Sequence, residues 1–313
     1  MRNALFWDFF LFGIPILFLY AIIKIIEEEV NDMVRIITDS TNDLDPKTIA
    51  EKDIMVLPLY VNFSDSSYQD GVNITTPELY QLVEQKNELP KTAAISIQTF
   101  LETFQRIVEE GDEIVFTGIS KQMSRTYENA VLAAQEINPE KIWIVDSMNL
   151  STGIGLLVLK ACKYRDAGMT AKEIANQLNE DNKRVLSQFA IERMDYLYKG
   201  GRCSGMAKLF GTLLKIKPII AVRDGKMHVA RKPHGRMRVA LDVMIEQLRG
   251  DLERLDRDVV VITHSLAFEY CEYMEKKIKE FLPDVPVLCT VAGCVISSHC
   301  GQGTIGVLYM VKE

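Results

Sequence analysis

The sequence predicts an α/β protein of two domains, a mostly parallel sheet in the first and a mixed sheet with helices in the second. Three observations carry this. Short Ile- and Val-rich runs recur from Met33 onward and read as strands buried on both faces. Longer helical stretches separate them, which is the βαβ alternation of a parallel sheet. Near residue 184 the pattern changes to strands set around a hairpin turn and two amphipathic helices. With 313 residues, 48% hydrophobic and 25% charged, the chain is long enough for two cores.

In chain order, residues 1–32 form an apolar leader whose segment 4–26 is long enough to span a bilayer, although Asp8 and Pro15 interrupt it. It is read either as a membrane anchor or as a translation start placed too far upstream of Met33. Residues 33–183 hold the first domain. Its strands are expected at 34–38, 54–61, 92–95, 113–119 and 141–147. A helix at 76–86 is marked by Thr76, Pro77 and Glu78 as cap, first-turn proline and favourable dipole charge. Thr170 and Glu173 form a capping box for another. Residues 184–313 hold the second domain, with strand runs at 184–191, 217–222, 226–232, 258–265, 285–293 and 304–311. The tetrapeptide Arg223-Asp224-Gly225-Lys226 is its hairpin turn, and helices are expected at about 236–253 and 266–281.

Composition excludes some functions. The net charge of -7 argues against a general nucleic-acid binder, which needs a basic footprint. Within that acidic chain, 199–238 carries eleven basic residues against one acid, Asp224. Six cysteines without a CxxC pair or metal-like spacing to histidine read as thiols in a reducing, cytoplasmic compartment. There is no Walker loop, HExxH or nucleophile elbow. Gly301, Gly303 and Gly306 match G-x-G-x-x-G, but too little chain follows for a βαβ unit. No metal or cofactor is expected, since the four histidines gather no ligand set. His299 and Cys300 are neighbours, but read as strand residues they point to opposite faces and make a poor base and nucleophile.

Polar residues gather where strands end: TDST (38–41), GISKQMSRTY (118–127) and DSMNLSTGIG (146–155). In open α/β sheets that carboxyl edge is where ligands bind. Helix capping by Asp39, Ser40, Asp146 and Ser151 is the competing explanation.

From Val34 to the end the chain resembles the DegV family of bacterial fatty-acid-binding proteins. The resemblance rests on TDST, LPLYV with YQDGVNIT (68–75), SRTYENA with IVDS, YLYKGGRCSG (196–205) with LLKIKPII (213–220), and SSHCGQGTIGV (297–307), in that order. It implies a two-domain α/β fold holding one long-chain fatty acid between the domains. It also implies that a separate ATP-dependent fatty acid kinase receives the carboxylate for phospholipid synthesis, the DegV-like chain being a carrier without catalytic activity of its own. The ligand-binding positions carried over are Thr92, Ala93, Ser96, Ser124, Arg125, Thr126, His299 and Gly301, with Lys199 and Arg202 as the partner-docking pair.

Two departures from the family pattern are informative. The family's T-S-Q-P-S reads TAAIS (92–96) here, so Ala93 replaces the serine whose hydroxyl contacts the carboxylate. The family's S-G-T-Y reads SRTY (124–127), which puts Arg125 at a glycine position. One reading is that Arg125 replaces the lost hydroxyl with a charge-assisted contact. The alternatives are an exposed arginine on a remodelled loop, or a paralogue that binds a different lipid or acyl ligand, including a membrane-tethered lipid sensor.

Overall fold

The computed structural model describes residues 33–206 and 216–312; the leader, Lys208, Lys215 and the first part of LLKIKPII lie outside the described residues. The first half contains β1 (Val34–Asp39), β2 (Ile54–Leu57), β3 (Tyr60–Asn62), β4 (Ser67–Gln69), β5 (Lys91–Ala93), β6 (Glu113–Gly118) and β7 (Ile142–Asp146). Four of these form a parallel sheet in the order β2-β1-β6-β7. The other three form a small antiparallel sheet, β4-β3-β5. The run 54–61, expected as one strand, is therefore two. Pro58 has no N–H to donate, so the ladder stops at Leu57 and the chain crosses to the second sheet.

The second half contains β8 (Val185–Ala190), β9 (Cys203–Ser204), β10 (Ile219–Arg223), β11 (Lys226–Arg231), β12 (Leu255–His264), β13 (Val287–Val291) and β14 (Ile305–Val311). They form one mixed sheet, ordered β13-β12-β14-β8-β10-β11-β9. The expected hairpin turn is present: Arg223 pairs with Lys226, and Asp224 and Gly225 both have positive φ, as a type I′ turn requires. We propose residues 33–183 and 184–313 as two domains, on the ground that among the described residues no sheet draws strands from both.

One face of the mixed sheet is covered by helices Met237–Gly250 and Phe268–Lys279, close to the expected spans. Its other face packs on helix Thr152–Asp166, which also contacts β1 and β6. That helix lies between two sheets, and its first seven residues, Thr152 to Val158, are all buried. Among the described residues, no helix is long and apolar enough to cross a membrane.

Candidate functional site

At the switch between β1 and β6 the parallel sheet's carboxyl edge is occupied by the protein itself. Asp39, fully buried, accepts hydrogen bonds from the N–H groups of Thr41 (2.9 Å) and Ile119 (2.7 Å). TDST is thus a capping element. A Cβ at Gly118 would lie 2.3 Å from Asp39 Oδ2, so β6 needs glycine there.

Beside this edge lies a cavity of 420 Å³, within the range of about 300–1,000 Å³ usual for small-molecule sites. Its wall is largely apolar. Ile119 and Leu150 come from loops after β6 and β7, and Phe189, Met227 and Leu308 from the mixed sheet. These three share one face: Phe189 is opposite Ile220, Met227 opposite Val222, and Leu308 opposite Ser187.

His299 also lines the cavity, from helix Cys294–Cys300 rather than from a strand. The opposite-face argument for His299 and Cys300 therefore does not apply. Cys300 is instead unsuited as a nucleophile because it is buried and burial pushes its thiol up to about 12. His299 Nε2 lies 2.8 Å from Thr92 Oγ1, while Nδ1 is buried, has no partner among the described residues and faces Gly200. Burial, and secondarily the charge of Arg202, lowers the imidazole to about 4. At neutral pH it is an uncharged hydrogen-bonding group. With the proton on Nε2 it donates to Thr92 Oγ1 and leaves the Thr92 hydroxyl proton free for a ligand.

Two buried aspartates hold this helix in place. Asp43 accepts from Gly293 N (2.8 Å) and from Ser151 Oγ (2.5 Å). Asp70 accepts from Cys294 N (2.7 Å), Val295 N (3.2 Å) and Ser40 Oγ (3.0 Å). The first N–H groups of a helix have no intrahelical acceptor, and here the carboxyl oxygens of two aspartates from the other half of the chain accept from them. Burial pushes Asp43 up to about 8 and Asp39 up to about 6, and it raises Asp70 as well.

A raised carboxyl pKa means that the folded state holds the proton more tightly than the unfolded chain, so this contribution to stability is lost as pH rises. For Asp43 the loss runs from about 4 up through about 8. His299 is lowered, so its contribution is lost as pH falls from about 6.5 through 4. Thermal unfolding should therefore show higher stability at pH 6.5 than at pH 8, a range in which Asp43 gives up its proton, with the effects of Asp43 and His299 opposed below 6.5. A flat melting temperature from pH 6.5 to 8 would remove the assignment for Asp43.

The other sequence-selected residues divide. Thr92, Ala93, Ser124, Arg125 and Arg202 lie on the cavity wall with His299; Ser96, Thr126, Gly301 and Lys199 do not. Ser96 is the N-cap of helix Ile97–Glu109. Thr126 is buried at the start of helix Thr126–Ile137, with its N–H on Ser124 Oγ. Gly301 has φ +78, and a Cβ there would meet Arg193 and Tyr196 at 3.0 Å, so it serves the packing of helix Met194–Gly200. Lys199 is exposed on that helix. Arg202, selected for docking, sits instead on the cavity wall and donates to Gly200 O at 2.7 Å. Sequence reasoning missed Asp43 and Asp70. Both sit in polar stretches that look solvated, and only the fold pairs them with a helix more than 200 residues away.

The family model described as "Uncharacterised protein, DegV family" matches residues 33–312. A DegV domain-containing protein of Clostridium acetobutylicum is 35% identical over 290 residues, covering 90% of this chain and 99% of that protein. One of Clostridium perfringens is 33% identical over 282 residues, covering 89% and 99%. Among solved structures, a fatty-acid-binding DegV family protein from Thermus thermophilus superposes with a TM-score of 0.82 at 28% identity, covering 89% of this chain and 99% of that one. A Thermotoga maritima protein whose structure reveals fatty acid binding has a TM-score of 0.78 at 28% identity, covering 90% and 100%.

Proposed function

The chain belongs to the DegV family, and from that premise we propose that it binds one long-chain fatty acid in the cavity that carries Thr92 and His299. The observation that carries this reading is an apolar cavity with a half-buried, uncharged Thr92–His299 pair on its wall. Burying a chain gains about 0.8 kcal/mol per methylene, so a sixteen-carbon tail supplies about 10 kcal/mol before the cost of association. Affinity then comes from the tail, and the head group needs only enough donors to offset its desolvation. Thr92 supplies one. Arg125 and Arg202 are exposed, line the cavity, and have no carboxylate partner among the described residues.

In this reading Arg125 stands in for the hydroxyl missing at Ala93, since both positions are on the same wall. The protein acts as a carrier in the cytoplasm, without chemistry of its own, and offers the carboxylate to a separate ATP-dependent fatty acid kinase. Support for a docking face comes from the exposed basic residues Lys199 and Arg202, which suit an acidic partner. The sensor alternative depends on the leader, outside the described residues.

The test is organic extraction and mass spectrometry of lipid from the purified full chain, followed by uptake of added fatty acid by the parent and by Arg125→Ala. The expected result is one fatty acid per chain, with uptake weakened by roughly tenfold or more in the variant, as for loss of a charge-assisted contact. Equal uptake by both would end the compensation idea but leave the carrier. An empty parent that also refuses added fatty acid would end the carrier reading and mark TAAIS and SRTY as signs of a different ligand.

A further inference from the structure

The β10–β11 hairpin has two unlike faces. Ile220, Val222, Met227 and Val229 point toward the core that holds the first cavity, and Met227 lines it. On the opposite face the register, with its bulge between Ile219 and Ile220, places Ala221, Arg223, His228 and Arg231 together. That face borders a second cleft of 520 Å³. It forms because β10 pairs with β8 only from Ile219 to Ala221, so Val185 to Ser187 and Val222 to Asp224 diverge and leave a gap.

This second cleft is chemically unlike the first. Arg223 and Arg231 have no ion-pair partner among the described residues, whereas Lys183 is paired with Glu180 and a single acid, Asp224, lies on the wall. Deeper in, Asn149 is only 2% exposed. Its Oδ1 accepts from Leu150 N (3.1 Å) and Ser187 Oγ (2.7 Å), which fixes how the amide is turned. The Nδ2 hydrogens are left without an acceptor among the described residues, on a residue that lines the cleft. Among the lining residues the buried atom without a partner is Asn182 Oδ1, an acceptor that a ligand hydroxyl completes, while the free Asn149 donor and the two unpaired guanidinium groups on the same wall suit an anion.

We propose that this cleft is a second binding site, for a phosphate monoester of a small hydroxylated molecule. Arg223 and Arg231 hold the phosphate, whose planar forks match its oxygens. Their surplus positive charge suits a dianion. The volume exceeds what a bare phosphate fills, and Ser187, Gln188 and Gln247 offer hydroxyl and amide groups to the remainder. The site does not rest on the fatty-acid reading, because the two cavities share no lining residue.

The test is titration calorimetry of the full chain with ribose 5-phosphate, with inorganic phosphate alongside. The expected result is saturable binding of one ribose 5-phosphate per chain, tighter than inorganic phosphate. The Arg223→Ala, Arg231→Ala double variant should weaken it by roughly tenfold or more, since each contact is charge-assisted. Removing the exposed charges Lys232 and Arg236, which do not line the cleft, should leave it unchanged. Unaltered melting temperatures in both variants would show that they fold. Absence of binding at millimolar ligand, binding no tighter than inorganic phosphate, or equal weakening in both double variants would overturn the site.

Discussion

Asp70→Ala is expected to lower stability by about 3–5 kcal/mol and to abolish fatty-acid uptake, because it removes the carboxylate acceptors of two backbone N–H groups of the helix that carries His299. Two effects oppose each other. Removing a buried carboxylate relieves its desolvation and its repulsion of Asp39 and Asp43, both of which Asp70 raises. Against that, the N–H groups of Cys294 and Val295 and the hydroxyl of Ser40 lose their acceptor in a buried place, at about 1–3 kcal/mol for each group left unsatisfied. Three lost bonds outweigh one relieved charge. Asp70→Asn keeps one acceptor oxygen and should recover part of the loss. Denaturant unfolding of both variants measures this, and an alanine variant as stable as its parent would show that the relieved carboxylate, not the helix anchor, dominates.

Gly200→Ala should separate binding from stability in the opposite sense. An ideal Cβ at Gly200 would lie 2.5 Å from His299 Nδ1, so even a methyl group forces the ring away and breaks its contact with Thr92. Gly200 is the last residue of its helix, and the left-handed cap is taken by Gly201 at φ +67, so alanine fits the backbone at 200. Alanine also favours helix over glycine by up to about 1 kcal/mol. The expectation is a melting temperature near that of the parent with fatty-acid uptake reduced by roughly tenfold or more. Uptake unchanged in Gly200→Ala would mean that the position of His299 does not govern binding.

The strands of the parallel sheet were legible because burial on both faces leaves continuous Ile and Val runs, and the hairpin because Asp-Gly requires its turn. The split of 54–61 was legible too, had Pro58 been weighed as a missing donor. Helix Cys294–Cys300 was not. Its sequence, CVISSHC, mixes β-branched residues and serines with weak helix preference, and what makes it helical is Asp43 and Asp70. For the same reason the packing role of Gly301, where a Cβ would meet Tyr196, was not legible in SSHCGQG. Local patterns reveal elements; a site assembled from residues 43, 70, 92, 200 and 299 becomes visible only once the chain is closed.

That closure bears on how the protein comes into being. The hydrogen bonds from Gly293 and Cys294 reach back 250 and 224 residues, to Asp43 and Asp70. Contacts so distant in sequence form slowly, because the loop entropy must be lost before they reward it. A ribosome delivers the first half long before the helix that completes the binding wall. The nascent chain therefore carries its parallel sheet with an unfinished pocket until residues 294–300 have emerged, and the cavity is complete for a ligand only after that.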